Sequence, residues 1–186
     1  MRCFVAIDLP QETHSELARQ QAVFRTACRD ARWTRPEGIH LTLKFLGEIS
    51  DGQVESVKKA LAGLGEFQSF PVEVRGFGFF PNACRPRVFW AGVEAPEVLG
   101  ALALRVEAAM EAVGFAREQR AFNAHLTLAR FRMPRPQPEL SALVEKQKDL
   151  TLGRFEVSEF FLFESKLRPQ GAEYRKVARF PVPNGE

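Results

Sequence analysis

Two of the three histidines in this 186-residue chain open the same tetrapeptide, His-Leu-Thr-Leu, at 40–43 and at 125–128. With six threonines in the chain, chance would give two such histidines a Thr at i+2 on the order of 0.3% of the time, before the leucines are matched. In a strand, side chains at i and i+2 point to the same face. His40 and Thr42 therefore share a face, with Leu41 and Leu43 behind them. His125 and Thr127 do the same, with Leu126 and Leu128 behind. If the two strands line opposite walls of one cleft, two imidazoles and two hydroxyls meet a single bound group. Histidine titrates near about pH 6.5, so one ring can be neutral and the other protonated near neutrality. Such a pair supplies a base and an acid on opposite sides of a reacting centre. In-line displacement at phosphorus needs that arrangement, and threonine hydroxyls can donate hydrogen bonds to the non-bridging oxygens. The residues point to metal-free phosphodiester hydrolysis.

One His-x-Thr on a strand is commonly a structural histidine, whereas two matching copies are poorly explained that way. Zinc needs a third ligand, and no nearby H-x-H, D-x-H or E-x-x-H supplies one, so neither metal nor cofactor is expected. His14 matches no motif and reads as a surface residue. The competing class is a non-catalytic nucleotide-binding module. The presence of both histidines and both threonines argues against it.

Several elements must position these residues. Residues 2–8 read as a strand of alternating character, and Pro10 starts a helix through about Cys28. Residues 33–38 read as a loop by their Pro and Gly, and 39–46 alternate as a strand. Ser50-Asp51 starts a helix with Val54, Val57, Leu61 and Leu64 on one stripe. Strands follow at 70–80 and 87–93, a helix at 96–113, and a strand at 124–131. After a proline-rich loop come a short helix to about Lys148 and strands at 154–163 and 173–180. Consecutive strands within this order favour an α+β fold with antiparallel or mixed sheets over a doubly wound parallel one. The repeated motif suggests an internal duplication, with residues 1–186 forming one domain of two related halves.

Composition narrows the class further. A net charge of +3 permits an anionic substrate but is far below that of a protein built to coat nucleic acid. Three cysteines without C-x-x-C spacing argue against a disulfide framework and fit a reducing cytoplasm. No apolar run reaches the roughly 18 residues of a membrane span.

The paired H-x-T-x motifs resemble those of the two-histidine (2H) phosphoesterases. Within them the chain is most similar to the RNA 2′,3′-cyclic phosphodiesterases, historically called 2′-5′ RNA ligases. The likeness runs through RCFVAIDLP, HLTLKFLGEIS, PRVFWAGV, HLTLAR and FESKLRPQGAEYRKVARFP. It implies a bilobal, pseudo-twofold fold, each lobe an antiparallel sheet with helices outside and the cleft between. It implies hydrolysis of an RNA or nucleoside 2′,3′-cyclic phosphate to the 2′-phosphate, with 2′-5′ ligation as the alternative direction. It also implies that His40 and His125 are catalytic, with His125 taken as base and His40 as acid although the motif is symmetric. By the same likeness, Thr42, Thr127 and Arg130 bind the phosphate. The expected partner is an RNA 3′ end or a nucleotide bearing the cyclic phosphate, met by a monomer without membrane attachment.

Phe45 and Arg130 each follow their histidine by five residues, an offset that strict alternation turns away from it. The resemblance nevertheless sets Phe45 against the nucleobase and Arg130 near the phosphate. A bulge would restore the direction, and otherwise Phe45 is core. Lys44 shares the parity of His40 and reads either as an anion ligand or as a solvated rim lysine. Arg32, Arg35, Arg85, Arg87, Arg132, Arg135 and Arg168 fall largely in loops that could guide an RNA end. Trp33 and Phe79 either stack on bases or belong to the core.

Overall fold

In the computed structural model, which describes residues 1–181, the first strand β1 (Arg2–Ile7) has five consecutive buried residues, Cys3 to Ile7. Cys3, Val5 and Ile7 join the main core. Phe4 and Ala6 join a second apolar cluster with Phe161 and Phe163. The expected polar alternation is absent because β1 is covered on both faces. α1 (Gln11–Arg25) follows, and β2 (Ala31–Trp33) is a short strand that was not expected, ending on the first residue of the expected loop. A 3-10 turn (Pro36–Gly38) leads to β3 (Leu41–Glu48), and then come α2 (Asp51–Ala62), β4 (Phe70–Phe80), β5 (Val88–Glu94) and α3 (Glu97–Ala112). The chain continues through β6 (His125–Phe131), α4 (Pro138–Lys146), β7 (Thr151–Val157), β8 (Glu159–Arg168) and β9 (Gly171–Pro181). Residues 182–186 of the domain expected over 1–186 lie outside the described residues.

The strands form two sheets, β3-β1-β8-β9 and β2-β6-β5-β4-β7, and the neighbouring pairs run antiparallel. The fold is α+β, as expected, without the mixed pairing that was the other option. The expected single strand at 154–163 divides at Ser158. β7 is the edge of the five-stranded sheet, while β8 pairs with β1 in the four-stranded one. A strand that changes sheets keeps its apolar content, so periodicity does not reveal the break.

Each helix buries one stripe. Thr13, Leu17, Gln20, Gln21 and Phe24 form the inner face of α1, leaving Val23 outside. Gly153 of β7 lies against Thr13, so α1 crosses that strand closely, and any Cβ at Gly153 would strike the threonine. Ser50 caps α2 in a capping box with Gln53, worth about 1 kcal/mol. α2 and α3 pack on the four-stranded sheet, and α1 and α4 on the five-stranded one. One continuous apolar core joins Val5 and Leu41 of the first sheet to Phe89 and Leu126 of the second. Each such side chain contributes about 1.5–3 kcal/mol of transfer free energy. β3 and β6, the strands that carry the two motifs, have Cα atoms within 8 Å of each other.

Candidate active site

The register of β3 decides which of its side chains share a face. Leu41 lies opposite Ile7 and Thr42 opposite Ala6, but Lys44 lies opposite Val5 and Phe45 opposite Phe4. Leu43 has no partner, so β3 is bulged there. Directly opposed residues face the same side. Ala6 and Phe4 are two apart on β1, and Thr42 and Phe45 therefore share a face. The bulge cancels one step of alternation and turns Phe45 toward the motif side, where it is 67% exposed with its ring 6.0 Å from Phe4.

β6 repeats this geometry at the same offset. His125 lies opposite Gly92 and Thr127 opposite Trp90, whereas Ala129 lies opposite Phe89 and Arg130 opposite Val88. Leu128 is the unpaired residue. Its carbonyl accepts the Thr34 amide at 2.9 Å and the buried Gln21 side chain at 3.1 Å, so the bulge leaves no orphaned acceptor. Arg130 thus returns to the face of His125 and Thr127 and is exposed. The Trp90 indole lies over Gly78, which has no side chain to obstruct it.

Lys44 falls on the other side of the bulge, which corrects the parity argument. Its ammonium is buried under α3, 2.6 Å from Glu107 and 2.7 Å from the Ala116 carbonyl. It neither binds an anion at the motif face nor lies at a solvated rim. Burial opposes the charge of Glu107, but the bond from Lys44 holds its carboxyl below the usual range.

The two motif rings are anchored alike. The Nδ1 of His40 lies 3.0 Å from the Gly38 carbonyl, and the Nδ1 of His125 lies 2.7 Å from the Asn123 carbonyl. A carbonyl only accepts, so Nδ1 carries the proton in each neutral ring and Nε2 keeps its lone pair. Their surroundings differ. His40, just ahead of β3, is 8% exposed and enclosed by Phe163 at 4.4 Å, Tyr174 at 5.2 Å and Phe4 at 5.6 Å between ring centroids. His125 is half-buried, with the edge of its ring against Phe80 at 4.9 Å. Burial pushes His40 down to about 4, against the pull of the Asp8 carboxylate.

Asp8 and its partners were not legible as site residues. The Asp8 carboxylate, just past β1, lies 3.9 Å from His40 Nε2, 3.5 Å from His14 Nε2 and 2.6 Å from the Lys176 ammonium. His14 is no surface residue: its side chain is 13% exposed, and its ring centroid lies 6.5 Å from that of His40. The residues come from the segment after β1, from α1 and from β9, and no motif spacing joins them. The only signal was that His14 is the third histidine of a histidine-poor chain.

Other expectations divide. Trp33 and Phe79 pack on Phe89 at 6.0 and 5.3 Å and belong to the core margin. Arg135 and Arg168 are held by Asp30 and Glu173. Arg32 lies directly opposite Arg130, and both are exposed. Among the described residues, no group of three or more His, Cys, Asp or Glu side chains is arranged to hold a metal ion. No helix there is long and apolar enough to cross a membrane. Cys3 and Cys28 are buried and Cys84 exposed, all three as free thiols.

The profile described as LigT like phosphoesterase matches residues 7–90 and 93–174, one motif in each stretch. The chain belongs to this family, within the 2H phosphoesterase superfamily. A LigT-like relative from Methanothermobacter thermautotrophicus, named RNA 2′,3′-cyclic phosphodiesterase, is 32% identical over 181 residues, covering 97% of this chain and 98% of that one. A relative of the same name from Archaeoglobus fulgidus is 33% identical over 180 residues, 97% of this chain and 99% of that one. Among solved LigT-like structures, a Thermus thermophilus protein superposes with a TM-score of 0.79 at 31% identity, covering 98% of each chain. E. coli LigT complexed with 3′-AMP gives 0.78 at 25% identity, also covering 98% of each.

Proposed function

We propose that this LigT-like enzyme hydrolyses RNA or nucleoside 2′,3′-cyclic phosphates to 2′-phosphates without a metal ion. The observation that carries the reading is the repeated bulge. It gives both motif strands the same face: a histidine with Nε2 free, a threonine two residues on, and a side chain turned to the motif face at the fifth. The family and the names of its relatives supply the substrate class. In this reading the two faces form the walls of one cleft in a single monomeric domain of two pseudo-symmetric lobes. Three cysteines without C-x-x-C spacing support a reducing cytoplasm as its place.

Water attacks phosphorus as His125 Nε2 accepts its proton. The bond from phosphorus to the 3′ oxygen breaks, and His40 Nε2 delivers a proton to that oxygen, leaving a 2′-phosphate and a 3′ hydroxyl. The Thr42 and Thr127 hydroxyls and the Arg130 guanidinium take the non-bridging oxygens. Phe45, exposed beside Phe4, meets the nucleobase. His40 is neutral in the free protein, so its acidic form is created by the negative charge of the substrate itself.

The test is product analysis with a cyclic-phosphate-ended RNA, for the wild type and for His40→Ala and His125→Ala. The expected result is a 2′-phosphate in the presence of EDTA and loss of turnover in either variant. A tight complex that is never hydrolysed, or activity abolished by EDTA, overturns the reading.

A further inference from the structure

Two histidines, one from α1 and one from the segment before β3, hang from the same 3-10 turn. The Pro36 carbonyl holds His14 Nδ1 at 2.8 Å, and the Gly38 carbonyl holds His40 Nδ1 at 3.0 Å. With their far edges fixed, both rings turn Nε2 toward one oxygen of Asp8. The Asp8 carboxylate is itself immobilised. Its Oδ1 accepts the Leu9 amide at 2.9 Å, and its Oδ2 meets the Lys176 ammonium, which sits 4.2 Å from the centre of the Phe161 ring. The turn is held in its place by Tyr174, whose ring occupies the space a side chain at Gly38 would need.

We propose that Asp8 is the positioning residue of His40, and that His14 and Lys176 serve the site by holding the Asp8 carboxylate at its distance. The inference rests on the acid role given to His40 above. Apart from Asp8 and the His14 ring at 6.5 Å, the rings packed around His40 are those of Phe4, Phe163 and Tyr174. Asp8 is the one carboxylate paired with it among the described residues, and so the natural counter-charge when the ring takes a proton. At 3.9 Å the carboxylate lies beyond hydrogen-bond range and leaves Nε2 free for the 3′ oxygen. An unrestrained carboxylate would close onto an imidazolium and sequester it. His14 and Lys176, bonded to the same group, prevent that collapse. The bonds from these two also hold the Asp8 carboxyl well below the usual carboxylate range, against burial, so the charge persists through acid conditions. The titratable and charged groups around the cluster are Asp8 itself, His14, Glu37, Arg175 and Lys176, with the Tyr174 phenol closing it.

Asp8→Asn removes the charge but keeps an oxygen for the Leu9 amide. The expected result is a fall in kcat of at least about tenfold, with KM changed less than about threefold. The His40 ring, in complex with inorganic phosphate, should need about tenfold more protons to become charged. His14→Gln and Lys176→Met should each move kcat and the pH profile in the same direction by less. Wild-type kcat and pH profile in Asp8→Asn overturn the proposal while leaving the catalytic reading intact, provided His40→Ala is inactive. Activity in His40→Ala overturns the reading beneath it. If Asp8→Asn does not fold, unchanged profiles in both His14→Gln and Lys176→Met overturn the proposal.

Discussion

Phosphate binding should convert His40 from a neutral to a charged ring. In the free protein, burial holds it at about 4, so it is neutral throughout the physiological range. A phosphate oxygen in hydrogen-bond reach of Nε2 puts a negative charge about 4 Å from the proton-bearing ring. At an effective dielectric near 20, that attraction is about 4 kcal/mol, or roughly a thousandfold in the protonation equilibrium. Displacing water from the ring takes back part of this gain, so an increase of at least about a hundredfold is expected. That is enough to bring the group into the range where an acid can work. The chain has three histidines, so imidazole nitrogen NMR spectra are simple to assign with His14→Gln and His125→Ala. At about pH 6, the free protein should show His40 neutral with the proton on Nδ1, and saturation with inorganic phosphate should give a ring protonated on both nitrogens. A ring that stays neutral in the saturated complex would refute both the placement of the anion and the acid role.

The same burial affects stability. Unfolding releases His40 to about 6.5, so the unfolded chain binds more protons between about pH 4 and pH 6.5. The folded state should therefore lose about 3 kcal/mol as pH falls through that window, seen as a falling denaturation midpoint, and His40→Asn should flatten the slope. Lys44→Met leaves Glu107 without its buried counter-charge and should cost about 2–4 kcal/mol in chemical denaturation, while kcat stays within about twofold because Lys44 faces α3. Arg32 and Arg130 are like charges in direct cross-strand register, an arrangement that an anion relieves. Arg32→Ala should raise KM about tenfold for a cyclic-phosphate-ended oligonucleotide and much less for a mononucleotide, and equal effects on both would exclude a contact upstream of the reacting phosphate.

The sequence was most informative where chemistry and periodicity coincide. His40, Thr42, His125 and Thr127 announce themselves because i and i+2 sharing a face is a local property of extended chain. The helix at 96–113 was equally legible, since Leu99, Leu102, Val106 and Met110 keep one stripe against the core. Alternation failed where the backbone broke step. Nothing in Leu-Thr-Leu-Lys-Phe declares a bulge at Leu43, so the directions of Lys44 and Phe45 could not be read. The division at Ser158 was hidden for a related reason: β7 and β8 are each apolar, and only pairing partners far away in sequence assign them to different sheets. Asp8, His14 and Lys176 meet through tertiary structure alone.

The bulges also bear on how a repeated frame can read an unlike-ended molecule. A cyclic nucleotide has a base on one side and a charged ring on the other. The backbone treats the fifth position after each histidine identically, delivering it to the working face. The two copies differ in what is delivered, a flat hydrocarbon in Phe45 and a forked cation in Arg130. Handedness toward the ligand then comes from two side chains and not from two scaffolds. If Leu43 paired opposite Val5 with no bulge, Lys44 would fall opposite Phe4 and the directions beyond it would exchange, driving the Lys44 ammonium out from under α3 and the Phe45 ring inward. The unpaired leucine is a phase setting, and in the proposed reading the orientation of the substrate depends on it.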